Sequence, residues 1–330
     1  MRNKMSLKTA LITSAVALTM VGQAHAFEPA RSAKCIAPAN PGGGWDFTCR
    51  SVGKVLVDQN YIKGNVQTVN MSGASGGVAF AHTVSKRATD ENLIVAASTA
   101  TTTRLAQDQF PGLNADQVRW VGTLGADYGV IAVSKNSKYK TLTEMLDALK
   151  KDPSSVKFGG GSASGGWDHL KVLLTAKADN VTDLPKIRYL AFSGGGEALV
   201  QVVGEHIDAF TGDISEIKGF MESGDIRVLA VLSEERLPAP FNTIPTALEQ
   251  GVSSIAPNWR GFYVPGEASI ESYDWWVNTM NELYKTQEWK DVMTKNGLMP
   301  FHKSGKDLTQ FVADQTLEIK MLSKEIGLIR

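Results

Sequence analysis

The sequence predicts an α/β fold with parallel sheets, divided between two lobes. Apolar runs of strand length alternate with segments of helical periodicity along most of the chain. The run Leu93–Ala97 is apolar throughout, as expected of a parallel strand that is buried on both faces. After residue 235, proline and tryptophan become more frequent and the helical stretches lengthen. We therefore expect a second lobe, residues 126–235, inserted into a first lobe formed by residues 27–125 and 236–330.

In chain order, hydrophobic periodicity and the flanking glycine, proline and capping residues define the predicted elements. The predicted strands are Lys34–Ala37, Asn65–Asn70, Leu93–Ala97, Val118–Gly122, Tyr128–Val133, Val156–Phe158, Ile187–Ala191, Ile207–Phe210, Ile226–Val231 and Gly261–Val264. The predicted helices are Asp46–Gln59, Gly76–Lys86, Thr141–Lys150, Trp167–Lys177, Gly196–Val203, Ile214–Ser223, Ile270–Lys285 and Lys306–Glu325. Thr141 and Glu144 have the spacing of a capping box at the start of a helix. Trp275, Trp276 and Met280 lie at helical spacing, which indicates core packing rather than cofactor contacts.

The first 26 residues have the organisation of a secretory signal peptide. Three cations precede an apolar stretch from Ala10 to Val21, and Ala24-His25-Ala26 forms an A-x-A cleavage site. The apolar stretch is shorter than the roughly 20 residues that a spanning helix needs. We therefore expect cleavage after Ala26 and a mature chain exported to the periplasm.

The charge balance gives no support for nucleic-acid binding. The whole chain has 34 basic and 34 acidic side chains, and loss of the three signal-peptide cations leaves 31 against 34. No basic run of the kind that binds a phosphate backbone is present.

Four glycine-rich segments each follow a predicted strand and precede a predicted helix. They are Ala39–Asp46, Ser72–Gly77, Gly159–Asp168 and Ser193–Glu197. Glycine lets the backbone approach a ligand closely, and the first N–H groups of a helix are unpaired and partly positive. Several such helix starts around one cleft would bind an anion without a lysine or arginine, although Arg104 and Arg260 remain candidates. The pattern indicates binding of a small acidic molecule.

Two of these segments end in the same Gly-Gly-Trp-Asp sequence. Asp46 and Asp168 either cap their helices or orient a water molecule or a ligand hydroxyl. Trp45 and Trp167 form either the walls of a cleft or the packing of a helix start. The sequence leaves both alternatives open.

A serine hydrolase is the alternative from another functional class. The segment Gly73-Ala74-Ser75-Gly76-Gly77 matches the G-x-S-x-G pattern between a strand and a helix. A triad also needs a later histidine on a suitable loop, but His169 lies in a predicted helix and His206 closely follows one. No Walker A motif, dinucleotide fingerprint or metal-binding spacing is present, so we expect no cofactor and no metal.

The chain has two cysteines, Cys35 and Cys49, which flank the first glycine-rich segment. In an oxidising compartment such a pair is more often a disulfide than two free thiols. A bridge would connect the first strand to the first helix and stiffen the loop between them.

Several segments together carry a resemblance to a known family. They are Cys35–Cys49, Arg188–Ala198, Gly212–Glu216, Arg227–Pro238, Ile244–Gly251 and Trp259–Tyr263. With these segments the chain resembles the extracytoplasmic solute receptors of the tripartite tricarboxylate transporters, the TctC or Bug group. The likeness runs over essentially the whole mature chain, and the cysteine pair and Trp259–Tyr263 resemble the citrate-type branch most.

The resemblance implies a two-lobed, type II periplasmic binding protein with a hinge of crossing strands that closes on a carboxylate. It implies a monomeric receptor rather than an enzyme, with two integral-membrane transporter subunits as partners. Citrate is the first expected ligand, although other members take aspartate, nicotinate, terephthalate or linear dicarboxylates. A subunit that presents its ligand to a sensor kinase would need the same closure.

The family pattern maps one carboxylate end onto the first lobe and the other end onto the second. With the residues singled out above, the candidate ligand-binding residues are Gly43, Gly44, Trp45, Asp46, Gly73, Ala74, Ser75, Gly76, Gly77, Ser98, Thr99, Ser162, Ala163, Ser164, Gly165, Gly166, Trp167, Gly196 and Asp213.

Overall fold

A computed structural model describes residues 27–29 and 32–330. The predicted signal peptide, residues 1–26, lies outside the described residues. Within the described part of the chain, no helix is both long enough and apolar enough to cross a bilayer.

Strands and helices alternate through most of the described chain, as predicted. The strands are β1 (Ser32–Ala37), β2 (Asn65–Asn70), β3 (Leu93–Ser98), β4 (Val118–Ser134), β5 (Lys157–Gly160), β6 (Arg188–Ala191), β7 (Ala209–Asp213), β8 (Ile226–Val231) and β9 (Pro257–Pro265). The helices are α1 (Gly44–Asp58), α2 (Gly77–Lys86), α3 (Thr99–Ala106), α4 (Leu142–Lys151), α5 (Trp167–Ala178), α6 (Gly195–Val203), α7 (Ile214–Glu222), α8 (Ile270–Lys285), α9 (Gln287–Asn296) and α10 (Gly305–Glu325).

The strands form one mixed sheet in the order β2-β1-β3-β9-β4-β7-β5-β6, with β8 paired to β4. The pairs β1–β2, β1–β3, β5–β6 and β5–β7 are parallel. Strand β4 pairs antiparallel with β9 from Val118 to Tyr128 and with β7 from Gly129 to Val133. The long strand β4 therefore joins two parallel units, which confirms the α/β class and shows that the central pairings are antiparallel.

The prediction of two strands, Val118–Gly122 and Tyr128–Val133, was wrong, because both belong to β4. The residues between them contain Gly125, which has a φ of 136°, and the pairing with β9 is irregular there. Glycine and a bulge interrupt the sequence pattern of a strand without ending the strand.

Helices α3 and α9 were missed. All eight residues of α3 are buried, although four of them are threonines, which have low helix propensity. The Ser98 hydroxyl accepts a hydrogen bond from Ala100 N at 3.1 Å, and the Thr103 hydroxyl donates to Thr99 O at 2.7 Å. Burial and local hydrogen bonds therefore outweigh propensity in this helix.

The division into lobes stays a prediction. The packing indicates that the chain returns from the second lobe to the first later than residue 235. Leu237, Phe241 and Ile244 pack in one apolar cluster with residues of β7 and β8. Val252 and Ala256 pack in another cluster with residues of α4 and α5. The chain enters β9 beside β4 at Pro257. We therefore propose that the second lobe ends there rather than at residue 235.

The structure joins Cys35 on β1 to Cys49 on α1 by a disulfide. Replacing both cysteines by alanine should lower the free energy of unfolding by about 3 kcal/mol, because a bridge across 14 residues restricts the unfolded chain. Chemical denaturation of the double variant and of the oxidised wild type measures the difference. Equal midpoints for the two proteins would contradict this expectation.

Candidate functional site

The four glycine-rich segments converge on one cavity of about 310 Å³. Strands β1, β2 and β5 each lead into a segment that lines it, and β6 leads into the fourth. The lining residues are Pro38, Ala39, Gly43, Gly44, Trp45, Ser72, Gly73, Ala74, Ser75, Ser98, Ala100, Gly161, Ser162, Ala163, Asp168, Ala191, Phe192, Ser193, Gly194, Gly195, Asp213, Glu216, Asn258 and Arg260. Segments far apart in the sequence therefore present their main chains to a single space.

Two of the helices that start at this cavity have glycine at the N-cap. The N-caps of α1 and α6 are Gly43 and Gly194, both of which line the cavity, and neither forms a side-chain capping bond. The first-turn N–H groups of these helices thus depend on groups from elsewhere in the fold for hydrogen bonds.

The second glycine-rich segment has an unusual backbone. Gly73, Ala74, Ser75 and Gly76 all have positive φ, and the values of the two non-glycine residues are 49° and 50°. This conformation is unfavourable for residues with a side chain, so tertiary contacts must hold it. It directs the Ser75 hydroxyl across the cavity, where it accepts a hydrogen bond from Ala163 N at 2.7 Å.

The Ser75 hydroxyl has no histidine partner among the residues that the structure describes. His169, His206 and His302 form their ring hydrogen bonds with Gly165, Gln201 and both Thr123 and Asn281, respectively. The geometry therefore does not support the serine hydrolase alternative.

Asp46 and Asp168 differ although they share a sequence motif. The Asp46 carboxylate accepts hydrogen bonds from Gly42 N, Arg50 Nε and Asn70 Nδ2 at 2.8–3.0 Å and does not line the cavity. These bonds hold the loop before α1, and Asp46 makes no capping bond to an N–H group of the helix. Asp168 lines the cavity, and its carboxylate lies 2.9 Å from Lys171 Nζ.

The two tryptophans differ in the same way. Trp45 lines the cavity, and its Nε1 donates to Ser98 Oγ at 3.1 Å. Trp167 is buried in the apolar cluster formed with α4 and α5 and does not line the cavity. The structure therefore makes the first a wall residue and the second a packing residue.

A buried network of charges closes the deep end of the cavity. Arg260 Nη2 on β9 lies 2.6 Å from Asp127 Oδ2 on β4 and 2.8 Å from Asp213 Oδ2 on β7. Lys171 Nζ lies 2.8 Å from Asp213 Oδ1 and also donates to Gly212 O at 2.7 Å. Burial disfavours the ionised form of Asp213, but Lys171 and Arg260 outweigh it and lower the pKa of Asp213 below its usual value. Both cations are thus already paired with aspartates.

Glu216 adds a further acid to this end of the cavity. Its Oε1 accepts a hydrogen bond from Gly44 N at 3.3 Å, and its Oε2 accepts one from Asp213 N at 3.1 Å. Burial, together with the charges of Asp213 and Asp168, raises the pKa of Glu216 to about 8. The carboxyl of Glu216 is therefore mostly neutral at pH 7.

About half of the predicted site residues line the cavity. The predicted residues that do not line it are Asp46, Gly76, Gly77, Thr99, Ser164, Gly165, Gly166, Trp167 and Gly196. The third segment instead binds α3, because Arg104 Nη1 donates to Ser164 O and Gln107 Nε2 donates to Gly165 O. Since Arg104 is absent from the lining, Arg260 is the cavity arginine, held by its ion pairs with Asp127 and Asp213.

The sequence analysis missed Glu216, Asn258, Ala191 and Phe192 as lining residues, whereas Ser193–Gly195 belongs to the fourth predicted segment. A signal for Glu216 existed, because Asp213 and Glu216 have the spacing of a capping box, and the structure contains that box. No sequence pattern around Asn258 indicated a position in the site. It reaches the site only because β9 pairs with β4, and its Nδ2 donates to Asp213 Oδ2 at 2.6 Å.

The comparisons with known proteins agree with one another. The model of the TctC family, described as the tripartite tricarboxylate transporter family receptor, matches residues 56–328. Protein BugT of Bordetella pertussis is 22% identical over 303 residues, which cover 91% of this chain and 90% of that one. The solved structure of MatC from Rhodopseudomonas palustris with bound malate is 17% identical, has a TM-score of 0.76, and covers 88% of this chain and 98% of that one. The structure of R. palustris Rpa4515 with adipate is 18% identical, has a TM-score of 0.78, and covers 90% of this chain and 97% of that one.

His169 should make stability depend on pH. Its Nδ1 accepts a hydrogen bond from Gly165 N at 2.9 Å, and burial lowers its pKa from 6.5 to about 4. The unfolded chain therefore takes up a proton that the folded protein excludes, and the free energy of unfolding falls as pH drops from 6.5 to 4. The contribution is at most about 3 kcal/mol.

Denaturation of wild type and His169→Asn at pH 7 and pH 4 measures this contribution. The asparagine carbonyl can accept the Gly165 hydrogen bond but cannot titrate, so the stability gap between the two proteins should narrow at pH 4. The same substitution at exposed His206 is the control. A gap that is constant with pH would contradict the assignment.

Proposed function

Because this chain belongs to the tripartite tricarboxylate transporter receptor family, we propose that it captures a small di- or tricarboxylate in the periplasm and delivers it to two integral-membrane transporter subunits. Members of this family are solute-binding receptors rather than enzymes. Citrate is our first ligand. The observation that carries the proposal is the convergence of four glycine-rich segments, with the glycine-capped starts of α1 and α6, on one cavity.

The pairing of the nearby cations favours recognition of a carboxylate by main-chain groups rather than by a free cation. Arg260 and Lys171 already pair with aspartates, so neither is a free cation that could bind an anion. The remaining attraction comes from the first-turn N–H groups of α1 and α6, and from the hydroxyls of Ser72 and Ser193.

The magnitudes are sufficient for binding in the micromolar range. Charge-assisted hydrogen bonds contribute about 1.5–3 kcal/mol each, and a helix start adds ~0.3–1 kcal/mol. A micromolar complex needs about −8 kcal/mol overall, so roughly four to six donors suffice after the ordering costs.

The size of the cavity and the structural neighbours support a small organic acid. A volume of about 310 Å³ lies at the lower end of the range for ligand pockets, roughly 300–1,000 Å³. Two structures with this fold contain malate and adipate, which are both linear dicarboxylates. The predicted signal peptide supports the periplasmic location.

A thermal-shift panel tests the ligand class. Citrate, malate and adipate should raise the melting temperature with increasing concentration, because a ligand that binds only the folded protein stabilises it by mass action. Glucose and magnesium chloride are the controls and should have no effect. Stabilisation by a control together with no response to any of the acids would reject the proposal.

The delivery step needs a separate test. Uptake of radiolabelled citrate by cells that carry the membrane subunits should require this receptor. Binding in the panel without any receptor-dependent uptake would favour a subunit that presents its ligand to a sensor.

Gly44→Ala should weaken binding of the best acid in the panel at least about tenfold, a change of ~1.4 kcal/mol. A Cβ atom at Gly44 would lie 2.4 Å from Arg260 Nη2, and the guanidinium cannot retreat because two aspartates hold it. The start of α1 must therefore shift, and its N–H groups lose their alignment.

Gly219→Ala is the matched control for this variant. Gly219 lies within α7, and a Cβ atom added there would meet no atom within 4 Å, so binding should be unchanged. Equal dissociation constants for the two variants in calorimetry would show that the start of α1 does not bind the acid.

A further inference from the structure

The carboxyl of Glu216 occupies a position that a ligand carboxylate is proposed to use. Its Oε1 accepts the hydrogen bond of Gly44 N, which is the first residue of α1. The same side chain lines the cavity and is only partly buried, so a ligand can contact it.

Two glycines on other elements leave the space that this carboxyl occupies. A Cβ atom on Gly195, at the start of α6, would lie 2.5 Å from Glu216 Oε1. A Cβ atom on Gly212, in β7, would lie 2.7 Å from Glu216 Oε2. Any larger residue at either position would overlap the carboxyl, so the backbone of both elements leaves a slot that the Glu216 side chain fills.

The charges that face Glu216 come from several elements. Asp213 belongs to β7, Asp168 to α5 and Arg260 to β9. The hydroxyl of Tyr189 on β6 also interacts electrostatically with Glu216. Arg260 is shared by two aspartates, and Lys171 on α5 pairs with Asp168 and Asp213. The acids therefore outnumber the cations here, which favours the neutral form of Glu216.

The two forms of Glu216 would affect a ligand in opposite ways. An ionised carboxylate repels the ligand carboxylate and competes with it for Gly44 N. A neutral carboxyl has an O–H group that can donate to the ligand carboxylate, and such a bond to a charged acceptor is stronger than one between neutral groups.

We propose that Glu216 makes carboxylate capture depend on a proton: neutral Glu216 donates its O–H to the ligand carboxylate at the start of α1, and ionised Glu216 takes that position itself. This inference rests on the proposed function. The proton stays on the Glu216–ligand pair, so no covalent step is involved.

Calorimetric titration with malate and with adipate at pH 7 and pH 9 tests it. Both acids remain fully ionised over this range, so a proton taken up on binding goes to the protein. Since the pKa of free Glu216 is about 8, the neutral fraction falls about tenfold from pH 7 to pH 9. The affinity of the wild type should fall by the same factor, and binding at pH 9 should take up nearly one proton, measured in buffers of different ionisation enthalpy.

Glu216→Gln removes the titration but keeps a neutral donor, so its affinity should not change with pH. Glu222→Gln is the matched control, because Glu222 is an exposed acid at the end of the same helix. It should behave as the wild type does. If Glu216→Gln does not fold, proton uptake by the wild type still decides the question.

Binding that is independent of pH, without proton uptake, would overturn this inference and leave the receptor function intact. Affinity that rises with pH would also overturn it, because an ionised Glu216 would then favour the bound state. Failure of citrate, malate and adipate to bind the wild type at either pH would reject the receptor proposal itself, and this inference with it.

Discussion

The cavity depends on the buried ion pairs that Arg260 forms with Asp127 and Asp213. These residues come from β9, β4 and β7, so the network fixes three strands at the place where the two parallel units meet. Removing such charges from water is costly, and the cost is offset only when every charge has partners. Asn258 and Lys171 complete the hydrogen bonding of Asp213. The start of α7, and with it Glu216, is positioned by this arrangement.

The same network bears on the proposed capture of an anion by main-chain groups. Its cations are paired with aspartates and are not free to bind a ligand, whereas the starts of α1 and α6 at the cavity have glycine caps. Three glycines near this cavity also leave room for charged side chains. Gly44 leaves room for the Arg260 guanidinium, and Gly195 and Gly212 leave room for the Glu216 carboxyl. In these positions glycine permits close packing against charged side chains.

Direct hydrogen bonds cross the cavity between segments that are far apart in the sequence. Ser75 Oγ accepts from Ala163 N, and Glu216 Oε1 accepts from Gly44 N. Each such bond contributes only about 1 kcal/mol net, so under the proposed function a ligand carboxylate would replace these protein acceptors at small cost. The strained backbone at Ala74 and Ser75 places the hydroxyl for one of these contacts.

The sequence by itself determined the alternation of strands and helices, the position of the glycine-rich segments and the family resemblance, because these features depend on local periodicity and on residue types next to each other in the chain. It also indicated the cysteine pair, since proximity in the chain makes a bridge easy to form. Local pattern misled where tertiary contacts outweigh it: two strands were predicted where β4 continues through Gly125, and no helix was predicted at the threonine-rich α3.

Only the tertiary structure decided which chemistry each candidate residue has. Asp46 and Asp168 belong to the same sequence motif. Arg50 and Asn70 donate hydrogen bonds to the Asp46 carboxylate, whereas the Asp168 carboxylate faces the cavity beside Lys171. Only the fold places Glu216 against Gly44, 172 residues earlier in the chain, whereas its spacing from Asp213 indicates no more than a capping box. Charge, burial and shared hydrogen bonds depend on which strands and helices meet, and residue order alone does not specify these contacts.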